Sequence, residues 1–121
     1  MEVNADTWDQ EVLTSDILTL VDFWHERCPW CLRLNPVYEE VASAFEGRVK
    51  FAKLNVLSSH ENRRIAVEQG IMGTPTLTFF CEGRAVETVA GFQPKDRLKA
   101  LVDDVLAKHR DCLEQSTELP R

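Results

Sequence analysis

No run of apolar residues in this sequence approaches the roughly 20 that a membrane-spanning helix needs. The N-terminus, MEVNADTWDQEV, lacks the basic start and apolar stretch of a secretory signal, so the expected location is cytoplasmic. Positive charge is not in excess either. Lys and Arg number 14 against 20 Asp and Glu, a formal net charge of −6, which argues against a phosphate backbone as partner. Internal repeats, low-complexity tracts and interdomain linkers are also missing. The 121 residues therefore read as one domain, long enough to bury a core without staples.

Elements of two kinds alternate along the chain, the pattern of an α/β domain. Asp6 is a candidate cap for a short helix over Thr7–Leu13. LTLVDFW, Leu18–Trp24, is nearly all apolar or β-prone and predicts a buried strand. Pro29 suits a first helical turn, and Leu32, Leu34, Val37, Val41, Ala44 and Phe45 carry a helix on to Gly47, with Pro36 inside it. Val49–Val56 predicts a second buried strand. Ser58 and Glu61 fit a capping box for a helix over Ser59–Gln69, closed by Gly70. Thr76–Cys81 and Ala85–Ala90 form a hairpin around Glu82-Gly83. Leu98, Leu101, Val102, Val105 and Leu106 give the helix from Pro94 to about His109 a single apolar face. The domain is expected to span residues 1–109, with 110–121 a flexible C-terminal tail.

The chemistry centres on RCPWC, Arg27–Cys31. Directly after a strand and at the start of a helix, Cys28 meets the positive end of the helix dipole and unpaired N–H groups, which favour thiolate over thiol. Cys31, one turn deeper, is more shielded. The spacing lets the sulfurs meet as a disulfide; Cys28 can attack a substrate disulfide and Cys31 can resolve the mixed disulfide. CxxC also fits half a zinc site. A structural zinc wants four ligands, however, and Cys81, Cys112, His25, His60 and His109 are scattered. A purely structural disulfide is a further alternative, disfavoured in a reducing compartment.

VDFWHERCPWC, FAKLNV, GIMGTPTLTFF and GRAVETVAGF occur in the order of the corresponding thioredoxin-family motifs, and the sequence resembles that family from about Val3 to Lys108. The resemblance implies a thioredoxin fold: three layers, α/β/α, around a mixed sheet of about five strands, the first one short. It implies a thiol–disulfide oxidoreductase acting on protein disulfides, with Cys28 as nucleophile, Cys31 as resolving cysteine, and Asp22 as a buried acid behind the pair. Lys53, on the neighbouring strand, is the expected partner of Asp22. Pro75 matches the cis-proline that brings the Thr74 backbone beside the sulfurs and keeps a metal away. Gly73 and Gly91 would leave that groove open. The redox-active Cys28–Cys31 pair is then the only cofactor, no metal is expected, and an unidentified enzyme such as a thioredoxin reductase recharges it. A monomer is expected, with neither nucleic acid nor membrane as partner.

Departures from the family pattern fall at the site. Arg27 stands where the family usually has Trp and should favour the Cys28 thiolate further. Pro29-Trp30 replaces Gly-Pro, and Trp30 offers a substitute aromatic surface. Cys-Pro-x-Cys keeps a glutathione-dependent, glutaredoxin-like enzyme as an alternative, although Thr74 replaces the valine usual before the cis-proline there. A non-catalytic thioredoxin-like binding module and a disulfide-forming enzyme are further alternatives. Cys81 reads as a small buried hydrophobe, and Cys112 as a tail thiol open to glutathionylation or dimerisation, or as a bystander.

Overall fold

The structure is a computed structural model that describes residues 1–110 and 112. In chain order the strands are β1 (Glu2–Val3), β2 (Leu18–Trp24), β3 (Val49–Asn55), β4 (Thr76–Cys81) and β5 (Arg84–Ala90). The helices are α1 (Ala5–Trp8), continued by a π-helical segment over Asp9–Leu13, then α2 (Pro29–Ala44), α3 (His60–Glu68) and α4 (Lys95–Lys108).

The sheet runs β1-β3-β2-β4-β5; β1, β3 and β2 are parallel, β4 is antiparallel to β2, and β5 is antiparallel to β4. It is the mixed five-stranded sheet that the resemblance implied. β2 is central and buried on both faces, so it reads as a continuous apolar run rather than an alternating one. Its residues nevertheless alternate between two cores. Leu18 and Leu20 pack with Leu34 and Tyr38 of α2 and with Leu98 and Val102 of α4. Val21 and Phe23 pack with Trp8 of α1 and Ala66 of α3 on the opposite face. Each fully buried Leu or Phe contributes roughly 1.5–3 kcal/mol, so this division fixes which face of the sheet carries which helices. The Tyr38 hydroxyl is shared between the carbonyl oxygens of Ala52 (2.7 Å) and Leu20 (3.0 Å), pinning α2 to β2 and β3.

Several boundaries differ from the sequence reading. Asn4, not Asp6, caps α1: its side chain accepts the N–H groups of Asp6 and Thr7, and the Thr7 hydroxyl closes a capping box. Ser59, not Ser58, caps α3 by accepting the Asn62 N–H at 3.0 Å. α2 ends at Ala44, and Gly47 (φ +85°) lies in the turn beyond it. Where neighbouring residues can all cap, local sequence does not choose among them; Asn62 does, because its buried amide also bonds Ser58, the Asn55 carbonyl and the Ala5 N–H. The hairpin forms as expected. Glu82 and Gly83 both have positive φ, and a Cβ at Gly83 would lie 2.7 Å from the Leu13 carbonyl oxygen, so no other residue fits there.

Candidate active site

β2 delivers the chain to the cysteines. After Trp24, residues 25–27 form a short link, half-buried at His25 and exposed at Glu26 and Arg27, in which the Arg27 N–H donates to His25 Nδ1 (3.2 Å). Arg27 itself is exposed. Cys28 is the N-cap of α2, with extended backbone (φ −99°, ψ 107°), and Pro29 occupies the first helical position, where its missing N–H breaks no helical hydrogen bond. Cys28 and Cys31 are joined as a disulfide with Cα atoms 5.2 Å apart. Cys28 is 7% exposed and Cys31 fully buried. The Cys31 N–H points at Cys28 Sγ from 3.2 Å, so one free donor of the helix start is spent on this sulfur.

The Thr74–Pro75 bond is cis, and the Thr74 carbonyl oxygen lies 3.4 Å from Cys28 Sγ. Beside it opens a cleft of about 360 Å³ lined by Trp30, Thr74, Pro75, Gly91 and Phe92. Trp30 is 52% exposed and stands as one wall, its ring 5.5 Å from that of Phe92 and capped by the Arg33 guanidinium at 4.7 Å. Gly91 (φ +94°) donates its N–H to the Pro75 carbonyl (2.8 Å), locking β5 to the loop. Gly73 belongs to a neighbouring cleft of about 330 Å³ on the α3 side, with His25, Leu57, Arg63, Met72 and Thr74 on its walls. The two clefts meet at Thr74. Phe92 escaped the sequence reading, although it directly follows Gly91 and an aromatic beside a groove glycine was the available signal.

Asp22 and Lys53 lie on the α2 face of the sheet. They are register partners in the parallel β2/β3 pair, and Lys53 reaches Asn35 on α2. Asp22 is fully buried, and neither carboxylate oxygen has a hydrogen-bond partner among the described residues. Burial pushes its pKa up to about 7, against a smaller opposing pull from Lys53 and a small push from Glu2. The expected Asp22–Lys53 ion pair is not formed. Lys53 Nζ instead donates to Asn35 Oδ1 (2.8 Å) and lies over the Trp24 ring (4.1 Å), while Trp24 Nε1 donates to Glu2 (3.1 Å). Asn35 had no role in the sequence reading, because its link to Lys53 crosses from helix to sheet.

The remaining cysteines correct the sequence reading. Cys112 is not a free tail thiol: it is 2% exposed and joined to Cys81, with Cα atoms 5.7 Å apart. Cys81, at the end of β4, is accordingly a disulfide partner rather than a small hydrophobe. The rest of the proposed tail, residues 111 and 113–121, lies outside the described residues. Among the described residues, no three His, Cys, Asp or Glu side chains are grouped to hold a metal ion, and no helix is long and apolar enough to cross a membrane.

Comparison with known proteins places this geometry. A family model, Thioredoxin, matches residues 1–104. The chain is 39% identical over 102 residues to Thioredoxin 1 of Nostoc sp., covering 84% of this chain and 92% of that protein. It is 43% identical over 97 residues to a thioredoxin of Alicyclobacillus acidocaldarius, covering 80% and 90%. Against a thioredoxin of Peptoclostridium acidaminophilum, identity is 37% over 109 residues, covering 90% and 94%.

Proposed function

We propose, from the premise that this chain belongs to the thioredoxin family and is a thiol–disulfide oxidoreductase, a division of labour among its site residues. Cys28 is the nucleophile. Its thiolate attacks one sulfur of a protein disulfide; that S–S bond breaks, and its electron pair leaves with the other substrate sulfur, which takes up a proton. Cys31 resolves the resulting mixed disulfide. Asp22 accepts the Cys31 proton, and Cys31 Sγ then attacks Cys28 Sγ. The Cys28–substrate bond breaks, releasing the second substrate thiol and leaving the Cys28–Cys31 disulfide. Two electrons pass to the substrate, whose two sulfurs take up one proton from solvent and the one that Asp22 received from Cys31.

The observation that carries this reading is the Cys31 N–H aimed at Cys28 Sγ at the start of α2. It supplies a donor to whatever negative charge that sulfur holds, while Cys31, fully buried, has none directed at it among the described residues. The raised pKa of Asp22 supports its role, since a base titrating near neutral pH can both take and return a proton. The cleft of Trp30, Pro75, Gly91 and Phe92 suits an extended substrate strand, with the Thr74 backbone as its hydrogen-bonding edge and Lys53 as an electrostatic modulator of Asp22.

The dithiol pair is the sole redox centre in this reading, with no metal or bound cofactor. The chain acts as a monomer in the cytoplasm, and a thioredoxin reductase returns the pair to its reduced form. The test is a pair of variants. Cys28→Ser should abolish reduction of insulin disulfides, and Cys31→Ser should accumulate substrate as a covalent mixed disulfide visible by mass spectrometry. Wild-type turnover by Cys28→Ser refutes the assignment. Reduction by glutathione but not by a thioredoxin reductase with NADPH would replace the proposed reductant.

A further inference from the structure

Lys53 has two acceptable homes. One is the Asp22 carboxyl, its register neighbour on the same face of the sheet; the other is the pocket it occupies, between Asn35 Oδ1 (2.8 Å) and the Trp24 ring (4.1 Å). Coulomb attraction alone favours the first, because Asp22 is buried with two unpartnered oxygens and would gain most from a cation. The second is held by a neutral amide oxygen on a different element, one turn along α2 from Cys31. We infer that Asn35 is a positioning residue for the reaction: by clasping Lys53 Nζ it keeps the lysine off Asp22 and leaves that carboxyl able to take and return a proton. This rests on the role proposed for Asp22 above.

The groups facing Asp22 make the clasp decisive. From β3 comes Lys53, from β1 Glu2, and from α2 Tyr38, whose hydroxyl is occupied by the Leu20 and Ala52 carbonyls. On the β4 side its register partner is Leu77, which is apolar. Lys53 is thus the one cation among these neighbours. A full ion pair at this buried site would favour the carboxylate, whose basicity would fall with its pKa, and would remove the poise near pH 7. Trp24 secures the clasp from the other side, its indole N–H held by Glu2 so that the ring face stays turned to Lys53.

The experiment follows the Asp22 carboxyl by ¹³C NMR in the reduced full chain as pH is varied, alongside the pH profile of insulin reduction. Asn35→Ala leaves Lys53 free to swing across, and the Asp22 midpoint should fall by about one pH unit. Asn35→Asp keeps the clasp and adds a negative charge, so the midpoint should rise. In a Lys53→Met background, Asn35→Ala should have no effect. A general loss of packing would not produce shifts of opposite sign, nor would it vanish with Lys53. An unchanged Asp22 midpoint in Asn35→Ala, or an equal fall in the Lys53→Met background, overturns the inference. The Asp22 role itself fails separately, if Asp22→Asn leaves the pH profile of insulin reduction as in the wild type.

Discussion

Asp22 and Lys53 stand side by side in the β2/β3 ladder, yet the lysine turns to Asn35 and leaves the carboxyl alone in the core. The arrangement costs stability in a pH-dependent way. Below about pH 3.8 the carboxyl is protonated whether the chain is folded or not, and it contributes nothing to the pH dependence. Between 3.8 and about 7 the folded state holds a proton that the unfolded state has lost, so stability falls as pH rises, and the loss is complete above about 7. The full cost is about 4 kcal/mol on the basis of 1.36 kcal/mol per pH unit.

Asp22→Asn should therefore be more stable than the wild type at pH 8, by about 2–4 kcal/mol, and nearly equal to it at pH 4. Urea denaturation at the two pH values measures this. A gain that is the same at both would mean that Asp22 is not held protonated by burial.

The placement of these residues was unevenly legible in the sequence. Cys28, Cys31 and Pro75 announce themselves because strand, CxxC, helix and TP follow one another in short range, where each local signal fixes the next. The hairpin was equally plain, since two β-prone runs flank Glu82-Gly83, and the glycine takes up one of the two positive φ angles found there. What stayed hidden depends on residues far apart in sequence. Cys112 reaches Cys81 only because α4 packs across the sheet to bring its C-terminal end beside β4, and periodicity says nothing about that. Asn35 looks like one polar residue on a helix until β3 places Lys53 beneath it. Asn4 outcompetes Asp6 as a cap through a threonine three residues on, a choice that composition leaves open.

Cys81–Cys112 closes a loop of sequence separation 31 and ties the chain just beyond α4 to the end of β4. Its chain-entropy effect on the unfolded state is about 3–4 kcal/mol. Cys81→Ser/Cys112→Ser should lose that amount in denaturant unfolding under oxidising conditions, with insulin reduction unchanged because the bond lies away from the cleft. In excess dithiothreitol the variant and the wild type should converge. Equal stabilities under oxidising conditions would show that the bond does not staple the fold.

Trp30 supplies much of the exposed wall of the cleft, and Phe92 and Arg33 hold its ring upright. On the proposed reading a large substrate strand covers that wall, whereas a small disulfide meets only the sulfurs. Trp30→Ala should raise KM for insulin about tenfold, the equivalent of about 1.4 kcal/mol, while leaving the reaction with a small aromatic disulfide within about twofold. Equal losses with both substrates would mean that Trp30 acts on the cysteines rather than on the bound chain.

The redox potential is set by how far Cys28 is stabilised as a thiolate. Pro29 withholds one N–H from the helix start, a loss for the thiolate, but Cys31 directs its own N–H at the sulfur from 3.2 Å. The helix terminus adds about 0.3–1 kcal/mol, and Arg27, exposed beside Cys28, adds a cation where the family usually has Trp. The favourable contributions outnumber the single missing donor, so the reduced Cys28 should be stabilised as a thiolate. A stabilised thiolate favours the reduced pair, making the protein more oxidising than a potential of about −270 mV. Arg27→Trp removes the cation and should move the potential to more negative values; Pro29→Gly, which restores the withheld N–H, should move it the other way. Because 30 mV corresponds to about 1.4 kcal/mol for two electrons, losing about 1 kcal/mol of thiolate stabilisation should appear as roughly 20 mV in a glutathione titration. A wild-type potential at or below −270 mV would mean that the missing Pro29 donor outweighs Arg27 and the helix end together.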